Sequence, residues 1–140
     1  MKSKLGIIGL GVVGEAVKNG MESLGHEVFV HDLKLNTKIE DLALTNVCFI
    51  CVPTPAKKTN ECDISIVDSV LKELEEINYK GIIAIKSTVP PQTTSTFQDK
   101  YNNKKICFVP EFLRERCASE DFIKNHDLCV IGTESEEIYK

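Results

Sequence analysis

Three glycines at the spacing Gly9-Leu10-Gly11-Val12-Val13-Gly14 follow a short apolar run, Lys4–Ile8, that reads as a strand. Immediately after them, Val13, Ala16, Val17, Met21 and Leu24 recur close to the helical period. Gly25 then supplies a C-terminal stop. A strand that turns through three glycines straight into a helix leaves few options. The helix must cross back over the strand, and a parallel neighbour must follow.

The rest of the chain repeats that alternation. Glu27–His31, Val47–Val52, Gly81–Lys86, Ile106–Val109 and Leu128–Ile131 read as further strands. The third is continuously apolar, as expected of a strand covered on both faces. Asp63 or Ser65 can cap a helix running to Ile77, with Val67, Val70, Leu71, Leu74 and Ile77 on its inward side. Thr93–Tyr101 is a weaker helix, Ile39–Leu42 at most one turn, and Ser135–Lys140 a first turn. The expected fold is α/β: a doubly wound parallel sheet of the Rossmann kind, about six strands in a three-layer sandwich, forming one domain over residues 1–140.

Asp32 stands 18 residues after Gly14, at the end of the second strand. That combination, more than the glycines alone, points to a dinucleotide. Gly9 permits the tight turn, Gly11 lets a pyrophosphate approach the backbone, and Gly14 lets helix and strand pack closely. The N–H groups of Val12 and Val13 at the helix start hold the anion without a lysine. Asp32 accepts hydrogen bonds from a ribose diol and repels a 2′-phosphate, so NAD is expected over NADP.

Charge excludes one class of partner. Lys and Arg number 17 against 21 Asp and Glu, a net charge of −4, whereas a nucleic-acid binder needs a basic face. No apolar run is long enough for a membrane span, and the start lacks a secretory pattern, so a cytoplasmic protein is expected. Six cysteines in that setting read as free thiols. Cys48 and Cys51, three apart on one strand, point to opposite faces and do not share a metal. No metal site is expected, and His26, His31 and His126 read as structural.

Three more segments stand at the same sheet edge: Val52-Pro53-Thr54-Pro55, Lys86-Ser87-Thr88-Val89-Pro90 and Pro110-Glu111-Phe112-Leu113-Arg114-Glu115. Each is polar and proline-stiffened just after an apolar strand, the setting of a positioned site. Taken singly, each has a plainer reading. Thr54 suits a turn, Ser87 and Thr88 suit a helix cap, and Glu111 and Glu115 suit a solvated surface.

Together, in this order and with Ala118, Asp121 and Val130-Ile131-Gly132, these segments resemble the N-terminal domain of the UDP-glucose/GDP-mannose 6-dehydrogenases over nearly the whole chain. That family oxidises the C6 alcohol of a nucleotide sugar to a carboxylate while reducing two NAD. The resemblance implies Val12 and Asp32 on the adenosine side of NAD. It places Val52, Thr54, Ser87 or Thr88, and Glu115 toward the ribose and nicotinamide. Thr88 and Glu111 are implied to position a water, and Glu111, Phe112, Leu113 and Glu115 to meet the sugar.

The chain also departs from the family. The stretch from Asp32 to Val52 is short, so the second crossover helix is expected to be reduced or lost. Pro91-Gln92 replaces a common valine-glycine pair, and Leu128 stands where arginine is usual. No cysteine matches the family's nucleophile; Cys117 follows Arg116 where glycine is usual, and a packing role is expected for it. The expectation is therefore a cofactor domain without the family's central helix and sugar-binding domain, incomplete alone, working with a partner chain or as a homo-oligomer. The alternatives are an NAD-binding module that kept the fold and lost the reaction, a hydroxyacid or 6-phosphogluconate type of dehydrogenase, and a pure interaction protein.

Overall fold

The computed structural model describes residues 1–125 and 128–140, so His126 lies outside the described residues. Five strands, β1 (Lys4–Ile8), β2 (Glu27–His31), β3 (Val47–Ile50), β4 (Ile82–Ile85) and β5 (Ile106–Phe108), form one all-parallel sheet in the order β2-β1-β3-β4-β5. The order reverses between β1 and β3. At such a switch point the loops leaving two adjacent strands diverge and open a crevice at their carboxyl ends.

The helices α1 (Val12–Ser23), α2 (Ser65–Glu76), α3 (Thr93–Lys100), α4 (Ala118–Lys124) and α5 (Glu136–Tyr139) complete the fold. The α2 start is set by Asp63, whose carboxylate accepts the Ser65 N–H at 2.9 Å. Its inward stripe, Val67, Val70, Leu71 and Leu74, packs on Cys48, Ile50, Ile83 and Ile85 of the central strands. Leu71 and Leu74 are fully buried, each contributing roughly 2 kcal/mol from apolar burial. On the opposite face α1 packs against α4, with Asn19 donating to Ser119 at 3.4 Å. Helices on both faces give the expected three layers.

Two local outcomes differ from the pattern. Leu128–Ile131 forms no ladder; Gly132 alone bridges antiparallel to Phe108. Helix α4 has no counterpart in the periodicity, because seven residues with three charges carry too few apolar positions to show a stripe. The shortened stretch behaves as expected: one 3₁₀ turn, Ile39–Leu42, replaces a crossover helix and inserts Ile39 and Leu42 into the core. No helix among the described residues is long and apolar enough to cross a membrane.

Candidate functional site

The glycine turn is forced by its surroundings at two positions and left open at the third. Gly9 has φ of +90°, and a Cβ there would stand 2.8 Å from the Cys51 carbonyl oxygen. A Cβ on Gly14 would stand 2.0 Å from the Gly9 carbonyl oxygen. A Cβ on Gly11 would meet nothing within 4 Å. Packing inside the protein therefore requires Gly9 and Gly14 but makes no demand at Gly11, where the missing side chain leaves room for something outside the chain. Gly11 is also the N-cap of α1, and among the described residues no side chain caps the first-turn amides. Val12, on that turn, is 46% exposed.

Asp32 closes the other side of this turn. Its carboxylate accepts the Leu10 N–H at 2.6 Å and the Lys34 N–H at 2.8 Å. These backbone donors, Leu10 first, hold its pKa below the usual carboxylate value. Each oxygen keeps a lone pair for a further donor. An open helix N-terminus for an anion and a fixed carboxylate for a diol fit a dinucleotide such as NAD.

The three other loops join this turn in one row along the sheet edge. Ser87 is buried and donates to the Val52 carbonyl at 2.7 Å, tying the ends of β3 and β4 together. Thr54 donates to the Thr88 carbonyl at 2.7 Å. The Thr54 and Ser87 hydroxyls thus shape the loops, while Thr88 lies exposed beside them. The helix cap open to Ser87 and Thr88 from sequence is not used; Gln92 precedes α3.

At the next strand end, Lys86 Nζ lies 2.8 Å from Glu111 Oε2, with the two side chains 5% and 16% exposed. Lys86 also stands 5.7 Å from the centre of the Phe122 ring. The second Glu111 oxygen accepts the Phe112 N–H at 2.9 Å. Glu111 is thus a held, half-buried carboxylate rather than a free surface acid, whereas Glu115 and Phe112 are exposed and Leu113 is half-buried. The loop itself is pinned to α4 by Arg114, which donates to both Asp121 oxygens at 2.9 and 2.8 Å. That guanidinium holds the Asp121 carboxyl well below the usual carboxylate range.

A cleft of about 770 Å³ opens beside this loop over the β3–β5 face. Glu111, Phe112 and Leu113 line it, and the glycine turn does not. The glycine turn lies apart from this cleft, at the β1/β3 switch point.

Cys51, Cys107 and Cys117 are held in the unreactive thiol form. Cys48 lies in the core on the α2 side, while Cys51 faces Lys86 and Glu111, so the pair points to opposite faces. Burial pushes the Cys51 thiol up to about 12 and Cys107 up to about 11. Cys117 is also raised, by desolvation and then by its hydrogen bond to Asp121. All three stay protonated near neutrality, the unreactive form.

Sequence reasoning missed Lys86 as a site residue. The signal was there: a lysine continuing the apolar run Ile82–Ile85 needs a buried acid, and the next strand end supplies one.

Residues 31–140 match the NAD binding domain of the UDP-glucose/GDP-mannose dehydrogenase family. Among curated relatives, UDP-glucose 6-dehydrogenase of Rickettsia felis is 41% identical over 108 residues, covering 71% of this chain and 24% of its own length. The chain thus spans about a quarter of that relative. Among solved structures, a UDP-glucose dehydrogenase from the hyperthermophilic archaeon Pyrobaculum islandicum superposes with a TM-score of 0.89 at 25% identity, over 99% of this chain and 42% of that one. A ternary complex of GDP-mannose dehydrogenase from Pseudomonas aeruginosa superposes with a TM-score of 0.78 at 25% identity, over 95% and 41%.

Proposed function

This chain belongs to the UDP-glucose/GDP-mannose dehydrogenase family through its NAD binding domain, and from that premise we propose that it serves the oxidation of a nucleotide sugar's C6 alcohol to a carboxylate. The observation that carries the reading is the row of four loops: the open Gly11 turn with Asp32, the linked Thr54 and Thr88 loops, and the Lys86–Glu111 pair. When bound, NAD supplies the two-electron acceptor for each oxidation.

Gly9, Gly11, Val12, Val13 and Gly14 form the pyrophosphate cradle, and Asp32 holds the adenosine ribose. Val52, Thr54, Ser87, Thr88 and Glu115 frame the ribose and nicotinamide end. Phe112, Leu113, Glu111 and Glu115 meet the sugar. Thr88 and Glu111 orient the water of the hydrolytic step, a task for a hydroxyl and a carboxylate fixed in direction. Residues 1–140 act as the cofactor domain. The thiol that holds the intermediate and the rest of the sugar-binding surface come from elsewhere, in the same polypeptide or a partner chain.

Two measurements test this. In calorimetric titration NAD binds and NADP binds more weakly; Asp32→Asn removes the ribose acceptor charge and weakens NAD about ten-fold. Equal affinity for the two cofactors in the unaltered chain would reject the role of Asp32. In an active assembly, Glu111→Gln lowers turnover about a hundred-fold and leaves NAD affinity unchanged. Unchanged turnover removes Glu111 from the mechanism.

A second reading, an NAD-binding module without the reaction, is favoured by one observation. Both Glu111 oxygens already have partners within the chain. NAD binding with no turnover, even when a thiol-bearing sugar domain of the family is supplied, would select it.

A further inference from the structure

The two edges of the sheet are treated differently. At one edge β5 is only three residues long, Lys105 precedes it, and Gly132 covers it with a reciprocal pair of backbone bonds to Phe108 at 3.0 and 2.7 Å. At the other edge, among the described residues, no strand lies beyond β2. The short segment after Asp32 lays Thr37 against that end of the edge, its hydroxyl accepting the Asp32 N–H at 3.2 Å, then packs Ile39 and Leu42 under the sheet and returns on the far side of β1, so it adds no strand outside β2 and leaves Val28 and Val30 uncovered. β2 is five regular residues in unbroken register with β1, and all five are half-buried. It carries no proline, lysine or bulge, the usual devices that stop an edge from pairing.

Its orientation and sequence fit one partner. The Glu27 N–H donates to the Ser3 carbonyl and the His31 carbonyl accepts from Gly9, so these residues turn their backbone toward β1. By alternation Val28 and Val30 present N–H and C=O groups outward. An antiparallel second copy centred on Phe29 sets Val28 against Val30, Phe29 against Phe29 and Glu27 against His31, at both ends by symmetry. Val28 and Val30 are then the hydrogen-bonded pairs, as their outward groups require. The carboxylate of each copy meets Nε2 of the other's His31 imidazole, whose Nδ1 is held by Thr37 at 3.2 Å, flanking an apolar centre of β-branched and aromatic pairs.

We propose that two copies of this chain pair antiparallel through β2, about Phe29, into a sheet continuous across both. This two-fold contact is self-complementary and closes on itself. It is independent of the enzymatic reading.

Sedimentation of the 140-residue chain over a range of concentrations tests it. The unaltered chain runs as a dimer. Val28→Pro deletes an outward N–H without touching the bonds to β1, and runs as a monomer with an unchanged circular-dichroism spectrum. Glu27→Lys weakens the dimer about ten-fold, since two pairs are lost at once. The exchange Glu27→His with His31→Glu restores it, which keeps the test open should the proline variant fail to fold. A monomer at every concentration overturns the proposal. So does a dimer that Val28→Pro and Glu27→Lys both leave intact, because association then uses another face.

Discussion

Gly11→Asp will leave the protein as stable as before, or slightly more so, and lose NAD binding by at least about a hundred-fold. The two effects are opposite because they come from different partners. Inside the chain, position 11 is the N-cap of α1 with extended backbone, and an added Cβ meets nothing. Aspartate is among the best residues for that position, since its carboxylate accepts a first-turn N–H and complements the helix dipole. Outside the chain, that same carboxylate occupies the cradle and repels a diphosphate. Gly14→Val should behave in the reverse sense. Its Cβ would overlap the Gly9 carbonyl oxygen, which is backbone and cannot rotate away. A loss of about 3 kcal/mol or more follows, with cofactor binding lost only because the turn is displaced. Urea denaturation beside calorimetric titration separates the cases. If Gly11→Asp still binds NAD at the original affinity, the cradle lies elsewhere.

Lys86→Met will destabilise the protein by about 3 kcal/mol, toward the low end for breaking a buried pair because Glu111 keeps 16% of its side-chain exposure. Methionine replaces the lysine stem well, so the loss comes from leaving the Glu111 carboxylate half-buried without its cation. Glu111→Leu alone should cost a similar amount by stranding the ammonium, which is only 5% exposed. The double variant removes both charges and costs about 2 kcal/mol less than the two single losses added together, the coupling read from a double-mutant cycle. Urea denaturation of the four proteins measures it. Additive single effects would mean that Lys86 and Glu111 do not hold each other, and that the Pro110–Glu115 loop is fixed by Arg114 and Asp121 alone.

Much of the fold was legible because apolar runs end at residues with unambiguous backbone demands. Val47–Val52 stops at Pro53, Ile106–Val109 at Pro110, and the first strand at Gly9. Helices α1 and α2 announced themselves through apolar stripes on one side. Where the signal is short, it failed. The helix α4 spans two turns, and Leu128–Ile131 has the composition of a strand but forms no ladder, the bridge to Phe108 falling at Gly132. The candidate site was legible as four segments, not as contacts. Ser87 illustrates the limit: its residue type suited a cap or a ligand, yet its hydroxyl ties β4 to the Val52 carbonyl.

The sequence by itself determined the strand–turn–helix unit, the acid at position 32, and the alternation that makes a parallel sheet. These are local: they depend on residue type, period and spacing within a few tens of residues. Only the tertiary structure decided that Gly11 faces open space while Gly14 is hemmed in, that Lys86 meets Glu111 across 25 positions, and that among the described residues no strand lies beyond β2. The reason is that packing and ion pairing depend on distance in space. Sheet order sets that distance, and no local pattern along the chain encodes it.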